Sequence, residues 1–143
     1  MTTTTTPPPA TTRSLRPLQV TLVVIATFQV LLGACFLIAP TRTAQLLGLT
    51  AAPGWTSWLF AMMAARFLGY GWGMVVAARD PIGQRSWIDT MTVIQAIDWV
   101  ATVGYLLAGD VGLRNVATAA VAPLVFVALL LWFRPRLAPG AGR

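Results

Sequence analysis

Residues 55–78 read WTSWLFAMMAARFLGYGWGMVVAA, and residues 87–108 read WIDTMTVIQAIDWVATVGYLLA. At about 1.5 Å of rise per helical residue, either stretch is long enough to cross roughly 30 Å of hydrocarbon. Each also carries one formal charge near its middle, Arg66 in the first and Asp98 in the second. A charge at the centre of a membrane helix costs ~2.5–3.5 kcal/mol on insertion scales, so such residues face a protein interior and mark function by default. Arginine keeps its proton in proteins, so Arg66 needs an anion, a water-filled cavity or a ligand. Asp98 is the acidic residue at matching depth, and a buried Arg66–Asp98 ion pair is the expected centre.

Two further apolar stretches flank these, at residues 18–39 and 113–133. Punctuation surrounds all four: Pro17 and Pro40 around the first, Pro53-Gly54 and Arg79-Asp80-Pro81 around the second, Arg134-Pro135-Arg136 after the fourth. Hydrophobic residues make up 57% of the chain and charged residues 10%, a balance that fits membrane segments rather than a solvated globule. The fold class expected is therefore all-α, a polytopic membrane protein with four transmembrane helices in an antiparallel bundle. With 143 residues, there is room for one bundle and no separate soluble domain. Tight connections make the second, third and fourth spans expected neighbours. Along the second span, Ala65, Gly69, Gly73 and Ala77 form a small-residue ridge that would let another helix approach closely.

The ends differ in character from the middle. Residues 1–17 open with MTTTTTPPPATT and read as a flexible tail, and residues 134–143 form a short basic tail. Residues 40–54 hold several leucines and suggest a short turn on the membrane surface. Arg13, Arg16, Arg79, Arg85, Arg134, Arg136 and Arg143 fall on one side of the four spans, against Arg42 and Arg114 on the other. This asymmetry predicts cytoplasmic N- and C-termini in a multi-pass protein of the inner (plasma) membrane. The net charge of +6 then serves anionic lipid headgroups. No basic soluble element is present to meet nucleic acid, so no nucleic-acid partner is expected.

Other polar groups gather at the depth of Arg66 and Asp98. Gln95, Asp98, Thr102 and Tyr105 stand at spacings of three, four and three, a polar stripe on one helix face. Tyr70 lies one turn from Arg66, with Met62 and Met63 on the same side. Gln29 sits near the middle of the first span. Pro123 sits near the middle of the fourth and leaves a carbonyl without its usual donor, with Thr118 and Asn115 toward the span's outer end. The candidate ligand-binding set is Arg66, Asp98, Gln95, Gln29, Tyr70, Thr102 and Tyr105. The competing reading is that these groups only knit the helices together, since interhelical hydrogen bonds in membranes average ~0.6 kcal/mol and specify geometry more than they stabilise.

Histidine, lysine and glutamate are absent, a composition suggestive of a GC-rich bacterial genome. Without histidine, the usual haem ligation, most zinc sites and serine–histidine triads are excluded. No metal and no cofactor is expected. Gly69-Tyr70-Gly71-Trp72-Gly73 lies mid-span and is no phosphate loop. An enzyme built here would use Asp98 as acid or base and Arg66 to steady an anion, which suits isomerisation or cyclisation of a lipid-soluble substrate. Proton-coupled transport is a third reading, with few titratable relays to serve it.

Cys35 follows Leu32-Gly33-Ala34, which resembles a lipoprotein cleavage box, but Phe36-Leu37-Ile38 continue the apolar run, so a small inert cysteine is the plainer reading. Trp55, Trp58, Trp87 and Trp132 stand near span ends and fit an interfacial aromatic belt, whereas Trp72 and Trp99 lie deeper.

The run Ala64-Ala65-Arg66-Phe67-Leu68-Gly69-Tyr70-Gly71, followed by Arg79-Asp80-Pro81 and a later Asp98, resembles small four-helix bacterial membrane proteins of the DoxX-like type and related families. The resemblance covers the second and third spans and implies the four-helix architecture; it transfers no catalytic residue. The function expected is a small accessory or lipophilic-ligand-binding membrane protein. Its partners would be membrane lipids, a membrane-protein partner or a second copy, and a lipophilic small molecule.

Overall fold

The structure is a computed structural model and describes residues 15–49 and 53–133. Five helices follow one another: α1 (Arg16–Ile38), α2 (Pro40–Leu46), α3 (Thr56–Arg79), α4 (Arg85–Ala108) and α5 (Leu113–Phe133). Among the described residues there is no strand. The four long helices are each long and apolar enough to cross a membrane, the mark of a multi-pass membrane protein. They coincide with the four expected spans to within two residues at every end. Of the two expected tails, residues 1–14 and 134–143 lie outside the described residues, and α1 already begins at Arg16.

Proline sets the first boundaries. Pro17 stands in the first turn of α1, where a missing N–H costs nothing, and Pro40 opens α2 in the same way. Where a surface turn was expected the chain forms a true helix. The Thr43 hydroxyl, 2.9 Å from the carbonyls of both Cys35 and Ala39, ties that helix back to the end of α1. Gly48 ends it with φ +90°; the Leu49 N–H bonds the Ala44 carbonyl at 2.9 Å and the Gly48 N–H bonds that of Gln45 at 3.0 Å. This is a Schellman turn, and only glycine takes its left-handed position without strain.

Small residues bring α1 and α3 together along their length. A Cβ at Gly33 would lie 3.1 Å from the Ala64 carbonyl oxygen, and one at Gly71 would lie 3.2 Å from that of Ala26. At the far end the Gln19 amide donates to the Ala78 carbonyl, 3.1 Å away, satisfying an acceptor in the last turn of α3. Residue numbers therefore rise along α1 as they fall along α3. The close-approach face of α3 is Ala64, Gly71 and Ala78, all buried. This corrects the ridge expected from the sequence: beside Gly69 a Cβ would meet nothing within 4 Å, and Gly73 packs under the Trp87 ring of α4.

The four long helices form two pairs, α1 with α3 and α4 with α5, and contacts between the pairs are few. A short connection therefore does not make α3 and α4 neighbours along their length. They meet near their shared loop, where Trp87 covers Gly73 and where Met74 and Ala77 join Ile88 and Met91 in one cluster. That cluster also takes Leu18, Leu22 and Ile25 from α1 and Phe126 and Leu130 from α5, so all four long helices close this end. A second, smaller cluster holds Phe36, Ala44 and Ala64, drawn from α1, α2 and α3 alone. The bundle is packed at one end, and toward the other its two helix pairs diverge.

Candidate functional site

Divergence leaves a cavity of about 500 Å3 between the pairs, within the ~300–1,000 Å3 range of small-molecule sites. All seven residues of the expected ligand set line it: Gln29 from α1, Arg66 and Tyr70 from α3, and Gln95, Asp98, Thr102 and Tyr105 from α4. Helical periodicity explains the convergence. The three-four-three spacing keeps the α4 residues on one face, and that face looks across the gap at Arg66 and, one turn along, Tyr70.

Apolar rings and a kinked helix complete the walls. Phe28 and Phe126 meet edge to face with centroids 5.5 Å apart, forming a floor above the packed end. Phe67 stacks at 6.2 Å on Phe36, which itself stacks at 5.3 Å on Phe60. On α5, Pro123 has no N–H to give the carbonyl of Ala119, four residues back, and both residues border the cavity. Val116, with φ −122° and ψ 16°, breaks the helical path of α5 about two turns before Pro123 and also borders the cavity.

The far end is covered by the segment after α2. Leu47 and Leu49 enter the lining, and Gly48 between them rests on the α5 backbone, where a Cβ would lie 3.1 Å from the Asn115 Cα. These leucines, Val111 and the phenylalanines were not anticipated from the sequence. The apolar content of residues 40–54 was the available signal, but it read equally well as a surface turn.

The expected buried ion pair is not formed. Arg66 and Asp98 are both exposed and both line the cavity, and no ion pair joins them. The reason lies in the fold: α3 and α4 touch near their loop and have separated by the depth of these two residues. An ion pair does form near that loop, where Arg85 and Asp89 approach to 3.7 Å on the first turns of α4. Thr102 donates to the Asp98 carbonyl at 2.8 Å, a bond along its own helix that leaves the Asp98 carboxylate without a hydrogen-bond partner.

Two amides sit deeper. Gln29 and Gln95 are each only 4% exposed, and neither makes a hydrogen bond. The Gln29 Oε1 is fully enclosed and unpartnered, whereas the Gln95 amide atoms keep contact with the cavity. Buried polar groups are paired in the great majority of cases, so two unpaired amides beside one void mark a place where hydrogen-bonding partners belong. Among the described residues no group of histidine, cysteine or acidic side chains could hold a metal ion. Cys35 is free and exposed on α1. Trp55, Trp58 and Trp132 are exposed at helix ends, as an interfacial belt requires.

Comparison with protein-family models, with curated proteins and with solved structures finds no match to this chain.

Proposed function

We propose that this is a small integral membrane protein that binds a lipophilic small molecule in the cavity between its two helix pairs. The observation that carries the reading is the cavity itself: residues from the middle of all four long helices line it, among them the charges Arg66 and Asp98 and the little-exposed amides Gln29 and Gln95. Apolar walls with a few polar groups are the usual make-up of such sites. In cells the protein serves as an accessory component of a larger assembly in a bacterial inner membrane, bound to a membrane-protein partner or a second copy. The likeness to DoxX-type proteins belongs to this proposal, and so does an orientation with both termini cytoplasmic. Reporter fusions after Arg16, Arg85 and Arg136 then read cytoplasmic, with Gly112 external.

A direct test fills the cavity. Protein in lipid nanodiscs is extracted with organic solvent and co-purifying lipophiles are identified by mass spectrometry, for wild type and for Ala101→Trp and Ala119→Phe. Both alanines line the cavity, and both side chains are exposed, so the larger rings take up cavity space rather than displace packed neighbours. A molecule retained by wild type and lost from both variants supports the reading; equal retention refutes it. The unpartnered Asp98 carboxylate opposite Arg66 favours a second reading, an isomerase or cyclase using Asp98 as acid or base. Turnover of the retained molecule by the purified protein, abolished by Asp98→Asn, would distinguish catalysis from binding.

A further inference from the structure

Resting on the cavity being a ligand site, we infer that its occupant is a lipophile with a net-neutral head group that both donates and accepts hydrogen bonds. Charge is the first argument. The ionisable lining is Arg66 and Asp98 with the two tyrosines, so the wall carries one cation and one anion and sums to zero. A singly charged head group would satisfy one of these and face repulsion from the other, in surroundings where charges are weakly screened. A fatty acid anion at Arg66 would have to share the space with the Asp98 carboxylate, and an alkyl ammonium at Asp98 would meet the Arg66 guanidinium.

Hydrogen-bond inventory is the second argument. Arg66 can only donate and the Asp98 carboxylate can only accept. Gln95, at 4% exposure, is unpartnered and lines the cavity, and a primary amide presents a donor and an acceptor side by side. Gln29, equally buried, borders the same void from α1, but its Oε1 is enclosed behind the lining. A hydroxyl or carboxamide head group answers Arg66, Asp98 and Gln95 at once: its oxygen accepts from Arg66 or the Gln95 N–H, and its O–H or N–H donates to Asp98 or the Gln95 carbonyl. An ester or ether lacks the donor. The apolar rings of Phe28, Phe67 and Phe126 take the hydrocarbon part.

Four probes sharing a ten-carbon chain separate the possibilities: monodecanoylglycerol, decanoate, decylamine and methyl decanoate. Each is titrated, in labelled form, into protein-containing nanodiscs with empty nanodiscs subtracted. Monodecanoylglycerol should bind at least about tenfold more tightly than the other three, and Gln95→Leu should weaken it by about tenfold, the effect of one or two hydrogen bonds. Charge variants give a readout that misfolding cannot imitate. Asp98→Asn leaves the wall positive and should move the preference to decanoate; Arg66→Gln leaves it negative and should move the preference to decylamine. Tightest binding of decanoate, decylamine or methyl decanoate to wild type overturns the inference while leaving the cavity a ligand site. Binding of all four alike, unchanged by Gln95→Leu, overturns it too and assigns the amides to water. Binding of none, with Ala101→Trp behaving as wild type, removes the ligand site itself.

Discussion

Gly71→Ala is the smallest change that tests how the two helices of the tighter pair meet. The added Cβ would lie 2.5 Å from the Val30 Cγ2, 3.2 Å from the Ala26 carbonyl oxygen and 3.4 Å from the Val30 nitrogen. Val30 is 39% exposed and can turn its side chain away, but the Ala26 oxygen belongs to the α1 backbone and cannot. The helices must then part by a few tenths of an ångström along an interface that also holds Gly33 against Ala64. Overpacking of this kind costs ~1–3 kcal/mol, so Gly71→Ala falls in the lower half of that range and Gly71→Leu at or beyond its top. Gly69, only two residues away, has no neighbour within 4 Å of a built Cβ. Gly69→Leu should therefore be neutral, or slightly stabilising through the better helix propensity of leucine. Reversible unfolding by SDS in mixed micelles, followed by circular dichroism, gives the free-energy differences. Equal destabilisation by Gly69→Leu and Gly71→Leu would refute the assigned face of α3.

Other substitutions probe the remaining contacts by the same assay. Arg66→Met and Asp98→Asn should act additively, with a coupling under about 1 kcal/mol, because the side chains do not pair; a buried ion pair broken on one side would instead cost ~3–5 kcal/mol. Leu22→Ala, fully buried in the packed end, should cost ~2–5 kcal/mol, whereas Val93→Ala, on an exposed face of α4, should stay within ~0.5 kcal/mol. Gly48→Ala places a Cβ at φ +90° and against the α5 backbone, so a loss of ~1–2 kcal/mol is expected, together with weaker ligand retention as the covering segment shifts.

The spans and the lining were legible for different reasons from the packing. Length and apolarity mark a membrane helix without reference to any neighbour, which is why the four spans coincide with α1, α3, α4 and α5 so closely. Polar residues in an apolar run are also self-announcing, and helical periodicity suffices to put Gln95, Asp98, Thr102 and Tyr105 on one face. Which helix that face meets is a property of the whole bundle. Residues 65, 69, 73 and 77 and residues 64, 71 and 78 both offer small side chains at helical spacing; only the placement of α1 decides between them. The Arg66–Asp98 pair failed for the same reason. Opposite charges at equal depth imply contact only if their helices stay together, and the loop that joins α3 to α4 constrains one end alone.

That separation is what makes the polar residues tolerable. Two central charges would each cost ~2.5–3.5 kcal/mol in lipid, and pairing them is one way to lower that cost. The bundle uses another. At about 30 Å3 per molecule, a 500 Å3 void has room for on the order of sixteen waters, enough to hydrate both charges and the Gln95 amide. Under the proposed function, a ligand would have to replace such hydration with hydrogen bonds of its own, and Gln95, Asp98 and Arg66 would then set its selectivity. Stability meanwhile resides elsewhere, in the cluster where Leu22, Met74, Met91 and Leu130 bring all four long helices together. Substitutions in the cavity wall should accordingly change what is bound while leaving the fold intact. Substitutions in that cluster should do the reverse, lowering stability in micelles without altering the head-group preference of the protein that remains folded. A wall substitution such as Gln95→Leu that lost as much stability as Leu22→Ala would show that the polar face holds the helices together, and the division between a closed, stabilising end and an open, binding end would fail.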